Sequence, residues 1–140
     1  MLDGGSCVSE SDRLQNAWDY ARSYYQDPDV IKDFERLSKY APAVFTSYMD
    51  MRRGIFESPD AALSAKEREL VIVGIEIMAR KTNPPPVGHT RKAIDEGATV
   101  EEIAEVVAIC IMIGGMITYR ESGRFVVEAA EEYVTGAAGD

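Results

Sequence analysis

One histidine, His89, is the side chain of this chain best suited to proton transfer near neutral pH. It follows three consecutive prolines and stands near the start of a short predicted helix. Because the positive end of a helix dipole disfavours the imidazolium ion, we expect a ring that is neutral near pH 7 and can donate or accept a proton. The alternative is that His89 is a surface or core residue without a chemical role.

A single charged residue, Glu76, lies within the apolar segment 70–79. A carboxyl group buried in such a segment must find a partner or take up a proton, and carboxyls of this kind are typical of general acids and bases. The alternative is that Glu76 lies on a narrow solvent-facing stripe or pairs with an arginine.

Basic residues that could hold an anionic substrate follow the Gly114–Gly115 pair. Arg120 and Arg124 are one helical turn apart and could bind a carboxylate through paired hydrogen bonds, with Tyr119 beside them. The alternative is that both arginines pair with neighbouring acidic residues on a solvated face. Further basic candidates are Arg52, Arg53, Arg91 and Lys92.

The chain has two cysteines, Cys7 and Cys110, and neither lies in a CxxC or CxxH spacing. The sequence therefore predicts no disulfide framework and no metal site. Cys110 lies in an apolar predicted helix, where burial raises the pKa of a thiol and makes it inert. Redox activity through either cysteine is the least favoured alternative.

The 140-residue chain carries a formal net charge of −9, and 46% of its residues are hydrophobic. The excess of acidic residues argues against binding to nucleic acid or to an anionic membrane surface. The longest strongly apolar run, 106–117, has twelve residues, whereas a membrane-spanning helix needs roughly 20. The acidic N-terminal segment lacks the apolar stretch of a signal peptide, so we expect a cytoplasmic protein.

Helix signals recur along the chain, and no segment shows the sustained period of two that is typical of strands. The stretches 64–67 and 99–102 form capping boxes, and Pro28 can occupy the first turn of a helix. We predict an all-α fold with six to seven helices in a single domain over residues 1–140, with flexible ends at 1–10 and 135–140. The predicted helices run from about 12 to 25, from 28, from 42, from 64 to 80, from 87 to 96, from 99 to 113 and from 116 to 133.

Two predicted helices, 70–79 and 106–117, are apolar almost all round. A helix of this kind is buried on every side. Either the other helices of the chain wrap this pair, or one face of each continues into a subunit interface. We favour an oligomer, because closed homo-oligomers are common and one small domain has little room for two such helices.

Three stretches of the chain together resemble the carboxymuconolactone decarboxylase family, which also contains the AhpD-like alkylhydroperoxidases. They are residues 63–71, the sequence HTRKA at 89–93 and residues 96–106, and the resemblance covers about residues 60–120. It implies an AhpD-like helical bundle that assembles into homotrimers or homohexamers.

The peroxidase branch of that family carries the motif CxxCxxxH, in which one cysteine attacks the peroxide. With His89 on the family histidine, Thr82 and Pro85 stand where the two cysteines would be. Neither side chain can form a thiolate, so thiol peroxidase activity is disfavoured. The decarboxylase branch, which keeps the histidine without a cysteine pair, is the more similar one.

The resemblance implies a lyase that needs neither a metal nor an organic cofactor and that decarboxylates or isomerises a small carboxylated ring or lactone. His89 would transfer the proton, and Glu69, near the family's upstream glutamate, or Glu76 would orient the histidine. Arg91 or the arginines after the glycine pair would hold the substrate carboxylate.

The chain also departs from the decarboxylase pattern at two places. Prolines occupy 84–86, where the family has a polar loop, and the segment 113–118 replaces a usual tyrosine and GxPA motif. Both changes predict a more apolar pocket and a substrate other than the family's namesake. The alternative function is a non-catalytic oligomeric binding or accessory protein of the same fold.

Overall fold

The computed structural model describes residues 8–81 and 86–136, and within these ranges the chain is helical with short connections. Neither range contains a strand, so the predicted all-α class is confirmed. Because α7, a π-helix and α8 follow one another without a break, the described residues contain seven helical segments. These are α1 (Glu10–Tyr24), α2 (Pro28–Tyr40), α3 (Pro42–Phe56), α4 (Ala65–Met78), α5 (Val87–Asp95), α6 (Val100–Gly114), and α7 (Met116–Thr118) with the π-helix (Tyr119–Gly123) and α8 (Arg124–Thr135).

The chain divides into two compact units, one ending at Ala61 and the other beginning at Ala62. The first unit contains α1 to α3, and the second contains α4 to α8. The single domain over residues 1–140 stays a prediction. Most of the predicted flexible ends, residues 1–7 and 137–140, lies outside the described residues, whereas Glu10 and Thr135 belong to helices.

Local signals set where the helices begin. The Asp27 side chain accepts a hydrogen bond at the start of α2, where Pro28 occupies the first turn. Both predicted capping boxes form, with Ser64 and Thr99 as the N-cap residues of α4 and α6. In each box the N-cap hydroxyl and a glutamate three residues later satisfy backbone N–H groups that would otherwise lack partners.

Aromatic side chains dominate the core of the first unit. Phe45 and Met49 of α3 are fully buried there. The Phe45 ring centroid lies 4.7 Å from that of Trp18 and 5.7 Å from that of Phe34, so one ring joins all three helices.

The second unit has its own apolar core. In it α4 packs against α5 and α6, and α8 packs against the same two helices. Its buried core residues are Val73, Ile77, Ala93, Ala98, Ile103, Val107, Cys110, Val126 and Ala130. The face of α4 that carries Val73 and Ile77 also carries Glu69, one turn earlier. The Glu69 carboxylate is therefore buried with these core residues.

The opposite side of α4 and α6 is exposed and consists of large aliphatic side chains, a surface that we call the apolar face. A groove of about 490 Å³ between the two helices belongs to this face. The exposed residues are Val71, Ile75 and Met78 of α4 and Ile109, Met112 and Ile113 of α6. Within the second unit the core therefore occupies one side of each helix only, which favours the alternative in which one face of each helix continues into a subunit interface. The assembly itself stays a prediction. No helix within the described ranges has the length and apolar character that a membrane crossing requires.

Gly115 separates α6 from α7 with a backbone φ of 78°, which disfavours any residue with a side chain. This confirms the interruption predicted at Gly114–Gly115. The helix predicted over 116–133 differs in one respect, because residues 119–123 form a π-helix before α8. A single wide turn of this kind leaves no signature in the spacing of apolar residues.

Candidate functional site

The side chains of His89 and Glu69 form a hydrogen-bonded pair in the second unit. Nδ1 of the His89 ring lies 2.7 Å from Oε2 of Glu69. The Glu69 side chain is 4% exposed, whereas that of His89 is 21% exposed. The pair therefore combines a buried carboxylate with an imidazole ring that solvent can reach.

The packing of α5 against α4 brings the two residues together. Glu69 lies on the buried face of α4, and His89 lies in the first turn of α5. The next residue, Thr90, is fully buried and donates a 2.7 Å hydrogen bond from Oγ1 to the carbonyl oxygen of Pro86. This bond fixes the start of α5 and with it the position of the His89 ring.

The carboxylate at Nδ1 determines which nitrogen of His89 is available for chemistry. When the ring is neutral, Nδ1–H donates to Glu69 and Nε2 keeps its lone pair, an assignment inferred from the hydrogen bond. When the ring is protonated, the same carboxylate stabilises the positive charge and Nε2–H becomes the acidic group. The pair can thus accept or donate a proton through Nε2.

Glu76, the other carboxylate proposed for the site, has a different partner. Its Oε1 lies 2.8 Å from Nζ of Lys81, and its side chain is 15% exposed. Its second oxygen, Oε2, is buried without a hydrogen-bond partner among the described residues. Glu76 is two turns beyond Glu69 on α4, which is roughly 10 Å along the axis. Glu76 thus forms an ion pair, with a lysine rather than the arginine considered from the sequence.

The predicted substrate-binding residues lie in separate surroundings. Arg120 is exposed, and the Arg124 guanidinium lies 4.5 Å from the centroid of the Phe125 ring. Arg91 lies 5.8 Å from the ring centroid of Tyr133, on α8. Tyr119 packs against the core of the second unit.

The alternative pairing of Arg120 and Arg124 with neighbouring acidic residues is not found in the part of the chain that the structure describes. Neither arginine takes part in the ion pairs formed within the described residues. Glu121, the acidic residue next to Arg120, instead has its Oε2 3.6 Å from Nε of Arg80.

Sequence reasoning missed two residues that hold the end of α4. Lys81 bonds Glu76 as described, and its carbonyl oxygen accepts a 3.1 Å hydrogen bond from Oγ of Ser122 in the π-helix. Arg80, between α4 and Lys81, has a φ of 52° and turns the chain there. These contacts lie beyond the last helical turn, where the usual spacings of three and four residues no longer apply.

Cys110 lies in α6 with its Sγ 3.6 Å from the carbonyl oxygen of Gly74. Burial raises the pKa of this thiol. Cys7, and the positions Thr82 and Pro85 that align with the cysteines of the peroxidase branch, lie outside the described residues. Within the described ranges, no group of three or more His, Cys, Asp or Glu side chains is arranged to hold a metal ion.

The sequence of this chain was compared with models of known protein families. The sequence model of the carboxymuconolactone decarboxylase family matches residues 42–129, which is more than half of the chain. This chain belongs to the carboxymuconolactone decarboxylase family. The match includes Glu69 and His89, and it begins with α3, which lies outside the resemblance seen over about residues 60–120.

A solved structure of the same kind extends the likeness to nearly the whole chain. It is a protein from Burkholderia xenovorans LB400, provisionally named a carboxymuconolactone decarboxylase. The two chains are 29% identical and superimpose with a TM-score of 0.73, covering 94% of this chain and 98% of that one. The three helices of the first unit therefore have counterparts in that protein. None of the curated proteins matches the chain.

Proposed function

We propose that this carboxymuconolactone decarboxylase family member is a cofactor-independent lyase that decarboxylates or isomerises a small carboxylated ring or lactone compound. The observation that carries the proposal is the 2.7 Å hydrogen bond between His89 and the buried carboxylate of Glu69. A carboxylate-oriented imidazole whose second nitrogen is not bonded to that carboxylate suits proton transfer to or from carbon.

In a decarboxylation, the bond between the ring carbon and the carboxyl carbon breaks and carbon dioxide leaves. The electron pair delocalises into the conjugated lactone carbonyl, and Nε2–H of the protonated His89 delivers a proton to carbon. The ring becomes neutral, Nδ1–H remains bonded to Glu69, and solvent returns the proton to Nε2. Glu69 contributes by stabilising the charged ring before the transfer and by holding its orientation.

In an isomerisation, the neutral form of His89 acts first. Nε2 removes a proton from a carbon next to the carbonyl, and the resulting imidazolium is stabilised by Glu69. The same nitrogen then returns the proton to a different carbon. Both reactions use one side chain and its carboxylate partner, and both require a group that holds the substrate carboxylate.

The residues proposed to hold that carboxylate are Arg91, Arg120 and Arg124, with Tyr119 as a neutral donor. Arg120 and Arg124 are exposed and take part in no ion pair within the described residues, so both remain available to an anion. Bidentate hydrogen bonds from an arginine fit a carboxylate well.

Homotrimers or homohexamers are the proposed assembly, with the apolar face as the contact between subunits. Six large apolar side chains of α4 and α6 are exposed there, and clustered exposed apolar side chains are typical of protein interfaces. We place the assembled enzyme in the cytoplasm, with a small molecule as its substrate and no nucleic acid or membrane partner.

A second candidate is a non-catalytic oligomeric binding or accessory protein of the same fold. The position of Arg91 favours it, because its guanidinium lies 5.8 Å from the centroid of the Tyr133 ring. A thiol peroxidase is the least favoured candidate, since Cys110 is a buried thiol in α6.

Turnover of 4-carboxymuconolactone, generated enzymatically in the assay, tests the proposal. Carbon dioxide release is measured for the wild-type protein and for His89→Ala. We expect release by the wild type and none by the variant at the same oligomer mass. Wild-type turnover that survives His89→Ala would remove His89 from the mechanism, and inactive wild type on this and related ring acids would favour the non-catalytic candidate.

A further inference from the structure

Arg52, in α3 of the first unit, is a buried cation without an acidic partner. The residue is 7% exposed, yet it takes part in none of the ion pairs within the described residues. Its Nε and Nη2 atoms are both buried and lack hydrogen-bond partners there. Buried charges are ordinarily paired, because removing an ion from water is costly.

Aromatic rings surround the Arg52 guanidinium in place of a carboxylate. Its central carbon lies 3.9 Å from the ring centroid of Tyr24, 4.4 Å from that of Phe56 and 5.0 Å from that of Tyr25. Such contacts stabilise a cation through its flat faces. They leave the N–H groups at the edge of the guanidinium without acceptors.

The two unpaired nitrogens share one edge of the guanidinium. Nε–H and Nη2–H project in parallel from the same side of the plane, and this edge binds the two oxygens of a carboxylate side by side. A neighbouring acidic residue, Glu57, lies 3.8 Å from Nε of Arg53. The donor edge of Arg52 is therefore left open by the acidic side chains of the described residues.

A third unpaired donor lies nearby. The hydroxyl of Tyr20 is buried and has no hydrogen-bond partner among the described residues. Its ring centroid lies 6.3 Å from that of Tyr24, the same ring that Arg52 contacts at 3.9 Å. Burial also raises the pKa of the Tyr20 hydroxyl. Unpaired buried groups in such a cluster indicate a missing acceptor.

We infer that the Nε and Nη2 edge of Arg52, together with the Tyr20 hydroxyl, binds a small organic carboxylate whose apolar part lies against the rings of Tyr24 and Phe56. The single positive charge of the guanidinium is complementary to the single negative charge of a carboxylate. The surrounding aromatic rings can contact the apolar part of the ligand. Because both nitrogens are closed to solvent, the covering side chains must move as the ligand enters, so association is slow. The site is in the first unit and is independent of the chemistry proposed for His89.

Benzoate is the probe for this site. It is titrated into the protein while the side-chain Nε–H resonances of the arginines are followed by ¹⁵N NMR. We expect saturable binding that shifts one resonance, absent from the spectrum of Arg52→Lys. Arg52→Lys keeps the charge but loses the paired donors, and it should weaken benzoate binding by about tenfold or more.

Matched variants separate this site from other basic residues. Arg53→Lys, at the next position of the same helix, and His89→Ala, in the proposed active site, should both bind benzoate as the wild type does. If Arg52→Lys fails to fold, Tyr20→Phe removes the hydroxyl alone and must also weaken binding. Absence of saturable binding, equal binding by Arg52→Lys, or loss of binding in His89→Ala alone would overturn the inference.

Discussion

Glu69 and His89 are twenty residues apart in the chain, and their side chains approach within 2.7 Å because α5 packs against the buried face of α4. Glu76, on the same helix, is instead bonded to Lys81. A single helix thus presents two partly enclosed carboxylates, of which one orients an imidazole and the other neutralises an ammonium group. The difference in partner makes their roles separable by experiment.

Replacing each carboxylate by its amide tests these roles directly. Glu69→Gln keeps the shape of the side chain but removes the charge that stabilises a protonated His89, so we expect turnover to fall by about 100-fold or more. Glu76→Gln should stay close to the wild-type rate, since its partner is Lys81. The measurement is carbon dioxide release at matched folded fractions by circular dichroism. The reverse order of effects would transfer the orienting role to Glu76.

The apolar face is tested by placing a charge on it. Ile109 is 59% exposed on this face, and Val44, in the first unit, is 58% exposed. Ile109→Lys should lower the molar mass measured by light scattering, because an unpaired charge in a buried contact is costly. Val44→Lys is the control of equal exposure and should leave the mass unchanged. A wild-type monomer, or an Ile109→Lys variant with unchanged mass, would contradict the proposed interface.

Cys110 should react slowly with thiol reagents in the folded protein. Burial raises the pKa of its thiol, so the thiolate fraction at pH 8 is lower than that of an exposed cysteine and increases only at more alkaline pH. The experiment uses a Cys7→Ser variant, in which Cys110 is the remaining thiol, and compares the rate of labelling with and without urea. Rapid labelling of the folded variant would reopen the redox alternative.

Two glycines with open surroundings should respond oppositely to alanine. Apart from the adjacent residues and the helix backbone itself, no atom of the described residues lies within 4 Å of a Cβ built on Gly115 or Gly54, so backbone conformation decides the effect. Gly115 has a φ of 78°, and Gly115→Ala should destabilise the protein by about 1–3 kcal/mol. Gly54 lies within α3, and Gly54→Ala should stabilise it by roughly 0.5–1 kcal/mol. Urea denaturation measures both, and the same sign for both would contradict this account.

The capping box of α6 should make stability depend on pH. The side-chain hydrogen bond from Lys66 and the backbone N–H of Thr99 lower the pKa of Glu102 below its ordinary 4.5. A lowered pKa contributes stability that is present above 4.5 and is lost as the pH falls through the lowered value. Glu102→Gln should therefore be less stable than the wild type at pH 7, with the difference vanishing in acid. A difference that persists at pH 2 would contradict this electrostatic origin.

The helix starts were predictable because they depend on residues close in sequence. Ser64, Thr99 and Pro28 each satisfy or remove a backbone donor at a helix start, and the structure places helices where these residues predict them. The apolar character of α4 and α6 likewise raised the alternative of an exposed face, and the second unit has such a face within the described residues. Predicting these features requires no knowledge of the fold.

The identity of the carboxylate that meets His89 could not be predicted in the same way. Glu69 and Glu76 are seven residues apart and share one face of α4, so helical periodicity treats them alike. Their distinction depends on where along α4 the helix α5 packs, which is a tertiary relationship. Lys81 was missed because it follows the helix. Arg52 was one of several basic candidates, and its burial could not be predicted because it depends on rings from α1 as well as α3.

The π-helix at residues 119–123 has a consequence for how the chain length of this protein can vary. A π turn holds one residue more than an α turn, so a deletion there can relax into regular helix while the residues of α8 keep their orientation. The same deletion inside α8 would rotate everything beyond it by about 100° and move Val126 or Ala130 out of the core. Residues 119–123 are thus a stretch where one residue can be lost during evolution without disturbing the packing of the last helix.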